Sequence, residues 1–159
     1  MTSSEADPVP SDRPEVSAFD APVHRLPLAA GDVGVDASTE SSEAAERVIV
    51  ELVGAFYESI RDDEHLGPIF AARVKDWPTH LERMSGFWSS IVLHTGRYAG
   101  RPLEVHASIQ GLEVEHFQRW LRLWSESVAR HVPRAAQRQF LMPAARMARR
   151  FADECVSRE

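Results

Sequence analysis

The sequence predicts an all-α fold, and two features of the residue pattern carry this prediction. Apolar residues recur at helical spacing in three stretches, at 48–60, 80–91 and 117–128. No stretch alternates polar and apolar residues as a half-buried strand would. The length of 159 residues suits one folded domain.

Ahead of that domain, residues 1–38 are predicted to be a disordered leader, acidic and proline-containing, and residues 39–159 to fold. The leader holds five of the ten prolines and few large apolar side chains, so it cannot bury enough apolar surface to offset chain entropy. Residues 1–46 carry ten Asp or Glu and two Arg, a net charge of −8, whereas residues 47–159 have a net charge of +2. The nearly neutral folded part gives no reason to expect nucleic-acid binding.

The sequence also bears on the cellular compartment. No apolar run approaches the roughly 20 residues that a membrane span needs, and the N-terminus lacks the basic start and apolar stretch of a secretory signal. The single cysteine, Cys155, cannot form an internal disulfide, which fits a reducing environment. We therefore expect a cytoplasmic protein with no membrane partner.

The first helix is predicted from the stripe at 48–60, with Ser41 or Ser42 as its N-cap and its end at 61–63. A turn at 66–70 is expected to open a short helix that reaches about residue 75.

The second amphipathic helix is predicted to begin at a capping box formed by Thr79 and Glu82, and to run to about His94. Its apolar face consists of residues at helical spacing: His80, Met84, Phe87, Trp88 and Ile91.

Residues 96–112 contain three glycines and one proline and are predicted to be mostly loop, with one helical turn around His106. A long helix is expected over 113–131, followed by a last helix over 134–156 that Pro143 should kink. The inner stripe of the long helix consists of Phe117, Trp120, Leu121, Trp124 and Val128.

Two of the seven histidines are candidates for chemistry: His80, on an apolar helix face, and His106, between two helices. His116 is predicted to lie at the surface, off the inner stripe. Three others are expected at helix ends, where imidazoles commonly interact with carbonyls or water: His65, His94 and His131. A zinc site is disfavoured, because it needs three or four convergent ligands and no such cluster is visible.

A haem needs fewer protein ligands than a zinc ion, because one neutral imidazole can hold the iron and apolar walls can hold the ring. The opposite face then needs a hydrogen-bond donor, and Tyr57 and Trp120 are available. On the residue pattern alone, core packing explains these two rings equally well. Local hydrogen bonds likewise remain a sufficient explanation of a buried His80.

Several stretches between Phe56 and Trp124 resemble, in their order and spacing, a truncated haemoglobin of the third group. The stretches are Phe56-Tyr57-Glu58-Ser59-Ile60-Arg61, Leu66-Gly67-Pro68-Ile69-Phe70, Trp77-Pro78-Thr79-His80, Phe87-Trp88, Tyr98-Ala99-Gly100-Arg101-Pro102-Leu103 with His106, and Phe117-Gln118-Arg119-Trp120-Leu121. The glycine-pair motifs typical of the other two truncated groups are missing. The resemblance implies a two-over-two helical sandwich around haem b.

The same resemblance implies roles for the residues of the site. His106 would be the proximal iron ligand, Tyr57 and Trp120 would donate hydrogen bonds to an iron-bound ligand, and His80 would occupy the distal gate. Phe70 would pack on the haem face, and the distal side would be lined by two further residues, Met84 and Trp88.

The loop before His106 offers two residues that could hold a haem propionate, Arg97 and Tyr98. Either side chain could reach the carboxylate, and the resemblance does not decide between them.

The implied function is binding of O₂ and related small ligands (NO, CO, peroxide) at haem iron. Two donors aimed at a ligand should slow its release, which suits redox detoxification with an unidentified electron donor or reductase better than oxygen transport. NO dioxygenase-like and peroxidase-like turnover stay open beside a non-catalytic binding or sensing globin. A haem-free helical interaction protein is the third class.

Overall fold

The structure, a computed structural model, describes residues 37–156 as helices joined by short loops. The six helices are α1 (Ala37–Asp62), α2 (Leu66–Arg73), α3 (Trp77–Val92), α4 (Pro102–Ala107), α5 (Val114–His131) and α6 (Gln137–Val156). No strand occurs in this part of the chain, and the predicted all-α class is confirmed. None of the described helices is both long and apolar enough to cross a membrane. The predicted leader lies outside the described residues except for positions 37 and 38.

Two predicted helix starts are wrong. Helix α1 already begins at Ala37, so Ser41 and Ser42 lie inside it and cannot cap it. Helix α3 is capped by Asp76, whose carboxylate accepts hydrogen bonds from the Thr79 backbone N–H at 3.2 Å and from its hydroxyl at 2.7 Å. A short acidic side chain one residue before the first helical turn satisfies its free N–H groups, and Thr79 becomes the third helical residue.

The short helix α2 also differs from the prediction. The segment at 66–70 is not a turn before α2 but its first residues, and α2 ends at Arg73. The predicted helical turn around His106 is present, as the six-residue helix α4. After α3, the chain reverses at His94, which has a φ of 57°, in the left-handed region.

The helices pack in two layers. Helix α1 packs against α3 and α5 packs against α6, and the layers meet where α1 contacts α5 and α3 contacts α6. The interior between them is filled by apolar side chains, among them five that are at most 1% exposed: Ile49, Leu52, Val53, Phe56 and Ile60. Each such side chain contributes about 1.5–3 kcal/mol by burial. The short helix α4 packs on α6, which places His106 beside the second layer.

Candidate functional site

A pocket opens between the two layers, and its wall contains every residue that the sequence predicted for the site except Arg97. These residues are Tyr57, Phe70, His80, Met84, Trp88, Tyr98, His106 and Trp120. They come from five of the six helices and from the loop before α4, so only the folded chain brings them together. The rest of the wall is largely apolar.

The His106 ring stands in one wall of this pocket. Its Nδ1 lies 2.6 Å from the Pro102 carbonyl oxygen, which can only accept a hydrogen bond. Nδ1 therefore carries the proton, and Nε2 has a lone pair in the neutral ring. Burial lowers the pKa of His106, which favours this neutral form, although the Pro102 carbonyl acts in the opposite direction. Phe151 and Phe117 flank the ring, with centroids 4.8 and 6.5 Å away.

His80 stands in a different wall and has an aromatic environment. Three rings lie roughly perpendicular to it: Tyr57 at 4.9 Å, Trp77 at 5.8 Å and Phe70 at 6.5 Å between centroids. The side chain is 2% exposed. Burial, reinforced by the positive charge of Arg83, lowers the pKa of His80 to about 4, so its imidazole is neutral near pH 7.

Tyr57 and Trp120 bring an O–H and an N–H to the pocket wall. Burial raises the pKa of Tyr57, so its hydroxyl keeps its proton and can donate it in a hydrogen bond. The half-buried Trp120 ring lies edge-on to Phe56, with centroids 5.6 Å apart. Both residues are thus held by aromatic neighbours of the core, which fixes where their donors can point.

A cationic edge of the pocket was missed in the sequence. Arg73 and Arg83 both line the pocket, and Arg83 is only 8% exposed. Arg83 shares a side-chain hydrogen bond with Tyr98, whose pKa is raised by burial despite that bond and the Arg83 charge. The Tyr98 hydroxyl packs so closely over Gly100 that a Cβ there would collide with it. Glycine at 100 therefore leaves room for the phenol at the pocket edge.

Two other residues lie elsewhere than expected. His116, predicted at the surface, is partly buried and lines the pocket, while its Nδ1 accepts a hydrogen bond from the Glu113 backbone N–H at 2.9 Å. This hydrogen bond caps the start of α5 and holds the His116 ring there. Arg97, the alternative to Tyr98, forms an ion pair with Glu46 at 3.3 Å and does not line the pocket.

Taken together, the pocket suits a flat apolar ligand that carries a metal ion and has negative charges at one edge. One imidazole nitrogen with a lone pair can take the metal, apolar and aromatic side chains can hold the ring, and two guanidinium groups can meet carboxylates. Within residues 37–156, no three His, Cys, Asp or Glu side chains form a group that could hold a metal ion.

Comparison with known proteins gives one family. No protein-family model matches the chain. A curated relative, the group 3 truncated hemoglobin ctb of Campylobacter jejuni, is 36% identical over 84 residues, which is 50% of this chain and 66% of the relative. The match therefore spans slightly less than two thirds of that relative's length.

A solved structure gives the same answer. The crystal structure of the group III truncated hemoglobin from Campylobacter jejuni superimposes with a TM-score of 0.64 and 29% identity, covering 68% of this chain and 88% of the other. The order of the helices, the pocket between their two layers and these two similarities all point to the same kind of protein. The chain is similar in sequence and in fold to truncated haemoglobins of the third group.

Proposed function

We propose that this chain is a haem protein that binds O₂, NO, CO or peroxide at iron and uses these ligands in redox detoxification. The observation that carries the proposal is His106, a neutral imidazole whose Nδ1 is engaged by Pro102 and which faces an apolar pocket. A hydrogen bond that fixes the tautomer in this way is typical of histidines that bind metals through Nε2.

The other walls support a haem of the b type, which is held without covalent bonds. Arg73, Arg83 and Tyr98 offer charged and polar partners for the two propionate carboxylates at the pocket edge. Phe70, Met84 and Trp88 offer contact surface for the ring. The haem, when bound, supplies an iron that takes up diatomic ligands and exchanges electrons.

The chain's own contribution is then made on the wall of Tyr57, His80 and Trp120. The Tyr57 hydroxyl and the Trp120 indole N–H would donate hydrogen bonds to a ligand bound at the haem. These bonds would stabilise the negative charge that the ligand acquires. His80 is neutral near pH 7, so it adds no positive charge to this wall. Donors to a charged partner strengthen binding by about 1.5–3 kcal/mol each, which slows ligand release.

Slow release favours chemistry on the bound ligand over transport. The expected reactions are the conversion of NO with O₂ to nitrate and the reduction of peroxide, and both need electrons from a partner reductase. A single cysteine without an internal disulfide partner is compatible with the reducing cytoplasm as the place of this chemistry. A non-catalytic binding or sensing globin would show no turnover with NO or peroxide when a reductase is supplied.

The test is the rate of O₂ release from the reduced holoprotein, measured by stopped flow. We expect slow release in the native protein and an acceleration of about tenfold or more in Tyr57→Phe and in Trp120→Phe, because each loses one donor to the ligand. Val50→Ala is the control, since Val50 is 56% exposed on α1 and does not line the pocket. Fast release from the native protein, unchanged in both variants, would contradict the proposed role of these donors.

A further inference from the structure

Three of the four tryptophans of the chain form one stack in the interior. The Trp88 and Trp124 rings lie nearly parallel, with an interplanar angle of 14° and centroids 4.1 Å apart. The Trp120 ring continues on Trp124 at 7° and 6.0 Å. The three indoles are thus nearly parallel, in the order Trp88, Trp124, Trp120, with close stacking in the first pair and a larger offset in the second. Offset stacking is one of the two arrangements that aromatic pairs prefer.

The stack begins and ends at the pocket. Trp88 and Trp120 both line it, and Trp124 between them is 0% exposed. Phe56 packs edge-on against Trp124, with centroids 5.0 Å apart. Phe140 borders Trp88 at 6.2 Å. The two outer indoles therefore reach the pocket, while Trp88 and Trp124 are shielded from water.

Indole is among the most easily oxidised side chains, and parallel stacking makes its oxidation easier. When one ring loses an electron, the positive charge spreads over its stacked neighbours, which stabilises the radical cation. A buried phenol such as Tyr57 is a poorer donor, because its oxidation requires the loss of a proton and burial raises its pKa. The stack is thus the favoured one-electron donor in the pocket wall.

We infer that the stack of Trp88, Trp124 and Trp120 donates one electron to the haem when peroxide is reduced in the pocket. The resulting radical then stays on the stack. This inference rests on the proposed function, because the haem is the site at which peroxide reacts. Hydrogen peroxide takes up two electrons and two protons to give two molecules of water. A bound haem would supply one electron from its iron, the stack would supply the other, and the protons would come from solvent. A reductase returns the missing electrons.

The test combines freeze-quench electron paramagnetic resonance with spin trapping and mass spectrometry on the ferric holoprotein after one equivalent of hydrogen peroxide. We expect an indole radical, with the trap attached to a tryptophan of the stack. Trp124→Phe interrupts the stack at its middle ring, so the indole signal should be lost and the trap should move to a tyrosine. Trp88→Phe shortens the stack from the other end and should lower the indole signal, which keeps the test valid if Trp124→Phe does not fold.

Trp77→Phe is the matched control, since it removes the one tryptophan outside the stack and should leave the radical where it was. A tyrosine radical in the native holoprotein, or an indole radical unchanged in Trp124→Phe and Trp88→Phe, would overturn the inference while a normal haem spectrum leaves the proposed function standing.

Haem-free protein provides an independent arm of the test. A ruthenium(III) polypyridyl complex generated by a light flash supplies a one-electron oxidant without peroxide. We expect an indole radical with a near-infrared absorption band from charge shared between stacked rings, and its loss in Trp124→Phe. If the native protein shows no such band, the stack does not share the charge and the inference is wrong, whether or not haem binds.

Discussion

His106 and His80 bring the same side chain to one pocket, and their surroundings give the two imidazoles different chemistry. The Pro102 carbonyl fixes the tautomer of His106, so that Nε2 is left as the nitrogen with a lone pair. His80 instead lies among the rings of Tyr57, Trp77 and Phe70, where burial opposes protonation. The first setting suits a metal ligand, and the second suits a neutral neighbour of a bound ligand.

The His80 environment predicts how stability depends on pH. The pKa of His80 is about 4 in the folded protein and near 6.5 in the unfolded chain, so the unfolded chain binds more protons between these values. Stability should therefore fall as the pH decreases through this window, by up to about 3 kcal/mol. Urea unfolding at a series of pH values between about 7 and 4 measures this loss.

His80→Leu removes the titrating group and should flatten the pH dependence of the unfolding free energy. His131→Leu, at the exposed end of α5, is the control and should keep the native slope. Parallel pH profiles for the native protein and His80→Leu would show that the His80 imidazole is not held neutral by its environment.

The position of Arg83 on α3 could be predicted from the sequence, but its burial could not. It lies three residues after His80 and four before Phe87, which places it on the pocket face of α3. Its charge argued for an exposed position, since arginine is seldom buried unless it has a partner. The hydrogen bond with Tyr98, which accounts for its burial, crosses from a helix to a loop and leaves no trace in local spacing.

Among the helices, local periodicity predicted positions well and ends less well. The range 113–131 predicted for the long helix agrees with α5, whose N-cap is Glu113. The start of α3 was misplaced because two capping patterns overlap there: Asp76 accepts the hydrogen bond from the Thr79 N–H that the predicted capping box would give to Glu82. Which of two nearby polar residues caps a helix depends on the path of the chain before it, and spacing alone does not encode this path.

The corner between α1 and α2 is tied to α5 by Arg119, which pairs with Asp63 and, more weakly at 3.5 Å, with Glu64. The Asp63 carboxylate accepts hydrogen bonds from Arg119 Nε at 2.6 and 2.8 Å and from the backbone N–H groups of His65 and Leu66. The Asp63 side chain is 6% exposed and that of Arg119 is 27% exposed. Although burial opposes ionisation, these hydrogen bonds and the Arg119 charge lower the pKa of Asp63.

Arg119→Ala should therefore cost about 1–3 kcal/mol of unfolding free energy, because it leaves a largely buried carboxylate without its cation. Arg130→Ala removes an exposed pair with Glu126, at 3.7 Å along α5, and should cost no more than about 0.5 kcal/mol. Urea unfolding of both variants provides the measurement. Equal losses in the two variants would mean that the contact between Arg119 and Asp63 does not hold the corner.

At the scale of the whole molecule, the pocket is a product of packing between the two helical layers. The apolar stripes predicted for α1, α3 and α5 each contribute residues to the pocket wall, among them Tyr57, His80 and Trp120. Phe151, Met147 and Ala148 of α6 also line the pocket, and no predicted stripe pointed to them. Their helix carries Pro143 and four arginines on its exposed side, so its contribution follows from its packing on α5 and α4. The family resemblance supplied the residue roles that periodicity could not.

The most direct test of the central claim is a haem titration followed by absorption spectroscopy, with the native protein, His106→Ala and His80→Ala. Haem bound through His106 predicts a Soret band that saturates at one haem per chain in the native protein, is lost or greatly weakened in His106→Ala, and is retained in His80→Ala with altered ligand kinetics. A native protein without a Soret band after haem addition would contradict the account. So would a band that survives in His106→Ala and disappears in His80→Ala.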